Sequence, residues 1–112
     1  MVFNMKRIFT SVGVRYELDE DDKEIIRKEV AEDLGISEDK IVGIYSIDEY
    51  RDEIVERLKK DYNIPENLVP YINVEKLIDD MWLDGVISRY LFKLKNQHGE
   101  EEKVEVIVEV DW

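Results

Sequence analysis

The stretch IVGIYSIDEYRDEIVERLKKDY, Ile41 to Tyr62, changes from one hydrophobic pattern to another with no loop between them. Its first part, Ile41 to Tyr45, is short, apolar and rich in β-branched residues, which is typical of a buried strand. Ser46 and Glu49 follow at the spacing of a capping box, in which each side chain bonds the other's backbone N–H. The stretch therefore predicts a strand that runs directly into a helix over 47–62, with the apolar stripe Tyr50, Ile54, Leu58 and Tyr62.

Upstream of this stretch the sequence predicts another strand and another helix. Lys6 to Leu18 alternates between apolar and polar residues, so we predict one half-buried strand there. From about Asp19 the period changes to that of a helix over 20–34, and Gly35 stands where a left-handed cap would end it. The apolar stripe of this helix is Ile25, Ile26, Val30 and Leu34.

Downstream, two prolines in NIPENLVPY interrupt the helical pattern. Asn73 can then cap a third helix that ends at Gly85, with the stripe Val74, Leu77, Ile78, Met81 and Trp82. The segments 86–94 and 104–112 alternate again on either side of NQHG, residues 96–99. We predict that they form a C-terminal β-hairpin with one face in the core.

The predicted order of elements is β-α-β-α-α-β-β. With 112 residues, 44% of them hydrophobic, the chain can build one modest core. No internal repeat, linker or low-complexity tract divides it, so we predict a single domain over 1–112. The fold class is α+β, and we expect the helices to pack on one face of a small sheet.

The charge of the chain excludes several classes of function. The sequence has 28 acidic and 16 basic residues, a formal net charge of −12, which repels nucleic acid and acidic lipid. It has no cysteine, which excludes disulfides, thiolate metal sites and cysteine nucleophiles. It has neither a long apolar run nor a secretory signal, so we expect a soluble, cytoplasmic protein with no membrane contact.

Most of the negative charge lies in the predicted helices, since residues 17–85 contain 22 acids and 9 bases. Carboxylates that recur every four residues form rows about 5–6 Å apart, which is comparable to the spacing of phosphates along a nucleic acid strand. A rigid helix can therefore imitate a row of phosphates, although ordinary solvated helix faces are acidic as well. The candidate residues on the second and third helices are Asp48, Glu49, Asp52, Glu53, Glu56, Glu75, Asp79, Asp80 and Asp84.

The acidic run Asp19, Glu20, Asp21 and Asp22 is a second candidate patch. It fails as a calcium-binding loop, because Glu24 occupies the obligatory glycine position and Val30 the position of the bidentate glutamate. These acids are better explained as the start of a helix, where the macrodipole favours negative charge.

The sequence offers little for catalysis or for a cofactor. The only imidazole is His98, inside the predicted turn, so a zinc or copper site is not expected. Asp79 with Asp80 or Asp84 could bind Mg²⁺, but such pairs arise by chance in so acidic a chain. No serine has a histidine nearby in sequence, and we predict no enzyme, catalytic residue, metal or cofactor. Most aromatic residues lie on apolar stripes, whereas for Trp112 contact with a partner stays open.

One segment resembles a known family. The stretch IPENLVPYINVEKLIDDMWLDGVISRYLF resembles the C-terminal part of the ArdA antirestriction family, and the likeness covers about residues 62–92. The matching positions are Pro65 with Glu66, then Tyr71, Glu75 and Asp80, a hydrophobic pair, and finally Tyr90 and Phe92. The resemblance implies a phage or mobile-element protein that imitates DNA in the groove of a type I restriction–modification enzyme.

Charge and resemblance together lead to a first hypothesis and two alternatives. The first is a non-enzymatic inhibitor whose acids replace phosphates in a DNA-binding defence protein, either a restriction enzyme or a CRISPR effector. The second is an acidic domain that binds a basic cellular protein, or another copy of itself, through a sheet edge at Lys103 to Trp112. The third is a small metal-dependent enzyme. A homodimer stays open under each of them.

Overall fold

The computed structural model of the chain describes residues 3–10, 13–95 and 100–112. The predicted turn at 96–99, with His98, lies outside these residues. Two short 3-10 turns, at 38–40 and 66–71, connect the regular elements. Those elements are β1 (Phe3–Thr10), β2 (Gly13–Leu18), α1 (Glu20–Leu34), β3 (Ile41–Ser46), α2 (Ile47–Asp61), α3 (Val74–Leu83), β4 (Ile87–Lys95) and β5 (Glu101–Val110).

The predicted starts of α2 and α3 and the predicted end of α1 are confirmed by their caps, whereas α2 ends at Asp61 and α3 at Leu83, one and two residues earlier than predicted. The Ser46 hydroxyl accepts from the Glu49 N–H at 3.2 Å, and the Glu49 carboxylate accepts from the Ser46 N–H at 3.2 Å. Gly35 adopts φ +67° and ends α1, while Asn73 caps the start of α3. These are local interactions, which is why residue type and spacing were sufficient to predict them.

The α+β class and the order of helices and strands are confirmed, with one change at the beginning. The segment 6–18, predicted as one strand, forms the antiparallel pair β1 and β2, in which Thr10 faces Gly13. A single strand of that length would have exceeded the usual range of about 3–10 residues. The alternation has the same period on both strands, so it does not reveal where one ends and the next begins.

The five strands lie in the order β2-β1-β4-β5-β3. β5 pairs antiparallel with both β4 and β3, whereas β1 lies parallel to β4 and, among the described residues, pairs with it at Phe3 and Asn4. The hypothesis of a sheet edge at Lys103 to Trp112 is therefore wrong for residues 106–109. These residues pair with β4 on one side and with β3 on the other.

The helices lie on both faces of the sheet, so the prediction that they all pack on one face is wrong. Val106 and Val108 of β5 belong to a core that α1 covers with Ile26 and Val30. Ile107 points to the opposite face, because side chains alternate along a strand. There it joins a second core with Tyr50, Ile54, Ile78 and Ile87. The sequence VEVIVEV, residues 104–110, did not indicate this second core. On that face of β5 the only apolar residue of the stretch is Ile107, and a glutamate stands on each side of it.

We expect Gly43→Ala to lower the free energy of unfolding by about 1–3 kcal/mol. A Cβ at this position of β3 would lie 2.7 Å from Cε2 of Tyr45 and 3.1 Å from Oε1 of Glu109. The Tyr45 ring cannot easily retreat, because it packs on the Tyr50 ring with centroids 5.2 Å apart. Denaturant unfolding measures the loss. In a Tyr45→Ala background the same change should cost much less, and an equal cost there would contradict the steric explanation.

Candidate functional site

The solvent-exposed surface of α1 carries several carboxylates. Asp19 begins the helix, and its carboxylate accepts from the Asp22 N–H at 2.8 Å. Ile26 and Val30 are buried against the sheet. The remaining surface of the helix is turned to solvent, and five of its exposed acids, named here the α1 acidic face, are Glu20, Asp21, Glu24, Glu29 and Glu32, of which Glu20 and Glu24 also line a groove between α1 and β3.

No basic side chain that the structure describes forms an ion pair with the α1 acidic face. Among the residues that the structure describes, none of the five carboxylates has a cation within ion-pairing distance. Lys28 is exposed on the same helix and reduces the net negative charge of this surface by one. The prediction had included Glu20 and Asp21 but had missed Glu24, Glu29 and Glu32. Their positions opposite the Ile26 and Val30 stripe were the signal that could have identified them.

The length of this face matches a short piece of one DNA strand. From Glu20 to Glu32 the helix advances ~18 Å, at ~1.5 Å per residue. A strand of B-DNA carries about five phosphates over the same distance, at ~3.4 Å each. The number of carboxylates on the α1 acidic face is therefore comparable to the number of phosphates that it would replace.

The other residues of the acidic run have structural roles. Asp19 is the N-cap of α1, and Asp22 is buried, with 2% of its surface exposed. Only Glu20 and Asp21 of the four are turned to solvent. Of the predicted patch, therefore, only Glu20 and Asp21 are available for contact with a partner.

Most predicted acids of α2 have basic neighbours. Asp48 pairs with Arg51 at 3.2 Å, and Glu53 pairs with Arg57 at 3.0 Å. The Glu56 carboxylate lies 3.9 Å from the Lys59 amine. Asp52 is exposed on the same helix. The predicted rows of acids are present on α2, but basic residues of the same helix form ion pairs with several of these acids.

Glu49 is a positioning residue of the fold. Besides its part in the capping box, its carboxylate accepts from the Leu18 N–H at 3.0 Å, which ties the end of β2 to the start of α2. Lys23 of α1 lies 3.9 Å from the same carboxylate. These contacts leave the Glu49 side chain with 18% of its surface exposed. It is therefore poorly placed to imitate a phosphate.

The predicted acids of α3 are likewise engaged, with one exception. Glu75 bonds Arg51 of α2, Asp79 bonds Arg89 of β4 at 2.6 Å, and Asp80 bonds Lys76 at 3.1 Å. Asp84 is exposed at the end of the helix and has no ion-pair partner in the described part of the chain. Two of these pairs join different elements, so spacing along the sequence could not have predicted them.

A cluster of aromatic and charged side chains fixes α2 to the sheet. The Arg57 guanidinium donates two hydrogen bonds to the Glu109 carboxylate, at 2.6 and 2.9 Å, and a third to Glu53. Tyr45 and Tyr50 pack beside it, and burial raises the pKa of both phenols. Both phenols are therefore neutral at physiological pH. The cluster resembles a satisfied structural network more than a reactive site.

Two grooves are open to solvent, and each has a volume of about 230 Å³. The first lies between α1 and β3, where Lys23 and Arg27 are flanked by Glu20 and Glu24. The second lies between α2 and α3 and is mostly apolar, with Leu77 and Met81 in its lining. Neither brings together a nucleophile, a general base and an oxyanion donor in the manner of an active site.

Within residues 3–10, 13–95 and 100–112, no three Asp, Glu, His or Cys side chains converge as ligands for a metal ion. Over the same residues, no helix combines the length and apolar character needed to cross a bilayer.

Comparison of the chain with protein-family models, curated proteins and solved structures finds no match. The resemblance to the ArdA family over about residues 62–92 therefore stays a prediction. In the structure those positions belong to the 66–71 turn, α3 and β4.

Proposed function

We propose that this chain is a non-enzymatic DNA mimic that inhibits a DNA-binding defence protein. The α1 acidic face would occupy the basic groove of a restriction–modification enzyme or a CRISPR effector and exclude the DNA. A phage or mobile element would gain from such an inhibitor, which would act in the cytoplasm of the host cell. The observation that supports the proposal is a set of five exposed carboxylates along one helix, none of which has an ion-pair partner among the side chains that the structure describes.

The predicted acids of α2 and α3 take a secondary place in this proposal. Their carboxylates already face Arg51, Arg57, Lys76 and Arg89, so a basic groove would have to compete with those partners. They still contribute to the net charge of −12, which steers a cationic partner towards the molecule from a distance. The proposal thus separates long-range attraction, shared by all the acids, from direct phosphate replacement by α1.

The proposal is tested by recovering the partner in the presence of DNA. Tagged protein is incubated with bacterial lysates that contain restriction and CRISPR effectors, with and without excess duplex DNA. We expect it to retain a nuclease that the duplex displaces, because both compete for one groove. Retention of a partner that duplex DNA leaves in place would contradict mimicry and would assign the interaction to another surface.

The affinity for the captured nuclease is expected to fall at least about tenfold between ~0.1 M and ~1 M salt. The reason is that the Debye length shrinks over this range from ~10 Å to ~3 Å. Most of the change should appear in the association rate, which electrostatic steering controls. Surface plasmon resonance at several salt concentrations measures both rates. An affinity that is the same at both ends of the range would rule out phosphate replacement.

A further inference from the structure

A second exposed surface lies where α3 turns into β4. Four large apolar side chains are solvent-exposed there, and we name them the α3–β4 corner. Their exposed fractions are Trp82 50%, Leu83 78%, Val86 45% and Trp112 67%. Hydrogen bonds hold the backbone of this corner together, since the Val86 N–H bonds the Met81 carbonyl and the Val110 N–H bonds the Val86 carbonyl. Exposed apolar groups that adjoin one another mark an interaction site more often than scattered ones do.

Both tryptophans of the corner are held in place. The indole N–H of Trp112 donates to the Gly85 carbonyl at 2.9 Å, although most of the ring surface faces solvent. The ring of Trp82 lies beneath the Arg89 guanidinium, 5.2 Å from ring centroid to Cζ. Because these contacts already restrict the side chains, a partner would lose little conformational entropy by covering them.

Two exposed acids border the α3–β4 corner and indicate the chemistry of a partner that would bind there. Asp84 and Asp111 are exposed, and neither has an ion-pair partner in the described part of the chain. A second copy of the chain would bring equal negative charge, since each copy carries −12. An anionic lipid surface would be repelled in the same way. A partner with apolar side chains and flanking cations satisfies both the tryptophans and the aspartates.

We propose that the α3–β4 corner binds a cationic amphipathic segment of another protein, with its apolar side chains on Trp82 and Trp112 and its Lys or Arg residues beside Asp84 and Asp111. The α1 acidic face is not part of this surface. The proposal is therefore independent of DNA mimicry, and either can fail without the other.

The probe for this site is a lysine–leucine peptide of about four helical turns, designed without aromatic residues and with all leucines on one face. The chain contains two tryptophans, and both lie in the corner, so intrinsic tryptophan fluorescence reports directly on its occupation. We expect a blue shift of the emission on titration. A peptide of the same composition, reordered to lack an apolar face, should bind at least about tenfold more weakly, since it loses most of the apolar burial.

Matched variants locate the binding. Leu83→Ser should weaken peptide binding about fivefold or more, whereas Leu91→Ser removes an equally exposed leucine from β4, 71% against 78%, and should have no effect. Asp84→Asn with Asp111→Asn should weaken binding about threefold or more, and Asp21→Asn with Glu32→Gln on α1 should change it less. All six positions are exposed, and thermal unfolding verifies that each of the four variants folds.

Several results would overturn the proposal. These are an absent blue shift, an equal loss from Leu91→Ser, and an equal loss from the α1 variant, which would reduce the effect to net charge. A blue shift that appears on concentrating the protein alone would assign the corner to a second copy. A blue shift with zwitterionic vesicles but not with the peptide would assign it to lipid.

Discussion

A variant with Asp21→Asn, Glu24→Gln, Glu29→Gln and Glu32→Gln should lose about 100-fold or more in affinity for the nuclease that the chain captures. Each amide keeps the size of the acid that it replaces but removes one charge from the α1 acidic face. Single changes of this kind should cost little, because the interaction energy is spread over the row. Affinity by surface plasmon resonance and protection of DNA from cleavage are the two measurements.

The matched control removes four charges from acids that already have cationic partners: Glu56→Gln, Glu75→Gln, Asp79→Asn and Asp80→Asn. Both variants have the same net charge, so both should slow association by a similar factor. Only the α1 variant should also dissociate much faster, because direct contacts determine the dissociation rate. If both variants lost affinity equally and dissociated at the same rate, the charge of the chain would matter but the α1 acidic face would not.

Replacing Arg57 with methionine should lower the free energy of unfolding by about 2–4 kcal/mol. Methionine retains much of the apolar stem but none of the hydrogen bonds to Glu109, whose side chain is only 14% exposed. The glutamate would be left charged and largely desolvated, without the partner that offsets the desolvation cost. Denaturant unfolding measures the difference. A domain stabilised by about 5–15 kcal/mol would lose a large share of its stability.

Arg51→Met provides the comparison for this prediction, because Arg51 also bonds two carboxylates but is 44% exposed. It should cost less than about 1 kcal/mol, as solvent-exposed ion pairs usually do. Changing Arg57 and Glu109 together to methionine should recover much of the loss, since no buried charge then stays unpaired. If Arg57→Met and Arg51→Met lowered the free energy of unfolding equally, burial of the ion pairs would not determine how much they contribute to stability.

The helices and their caps could be predicted from sequence because their determinants lie within a few residues of one another. Ser46 needs only Glu49 to form the capping box, and Gly35 needs only its own backbone conformation. The two faces of the sheet depend instead on contacts between distant elements. Ile107 reveals a second core only when α2 and α3 are placed over it. An alternating strand cannot indicate whether its second face is solvated or covered.

The candidate site shows the same division between local and distant determinants. The existence of acidic rows was evident from sequence, but the degree to which each acid is neutralised was not. Asp48 and Arg51 are three residues apart, so that pair could have been anticipated. Asp79 meets Arg89 only because α3 packs over β4. Unlike most predicted acids of α2, Glu24, Glu29 and Glu32 of α1 have no ion-pair partner among the described side chains, so we propose α1 rather than α2 as the phosphate-mimicking helix.

The position of β5 has a consequence for how the molecule unfolds. One strand contributes Val106 and Val108 to the core beneath α1, and Ile107 to the core beneath α2 and α3. Neither core can open alone, because losing one exposes a face of the strand that supports the other. The two halves are therefore expected to melt as a single cooperative unit, with the slowest amide hydrogen exchange in β5.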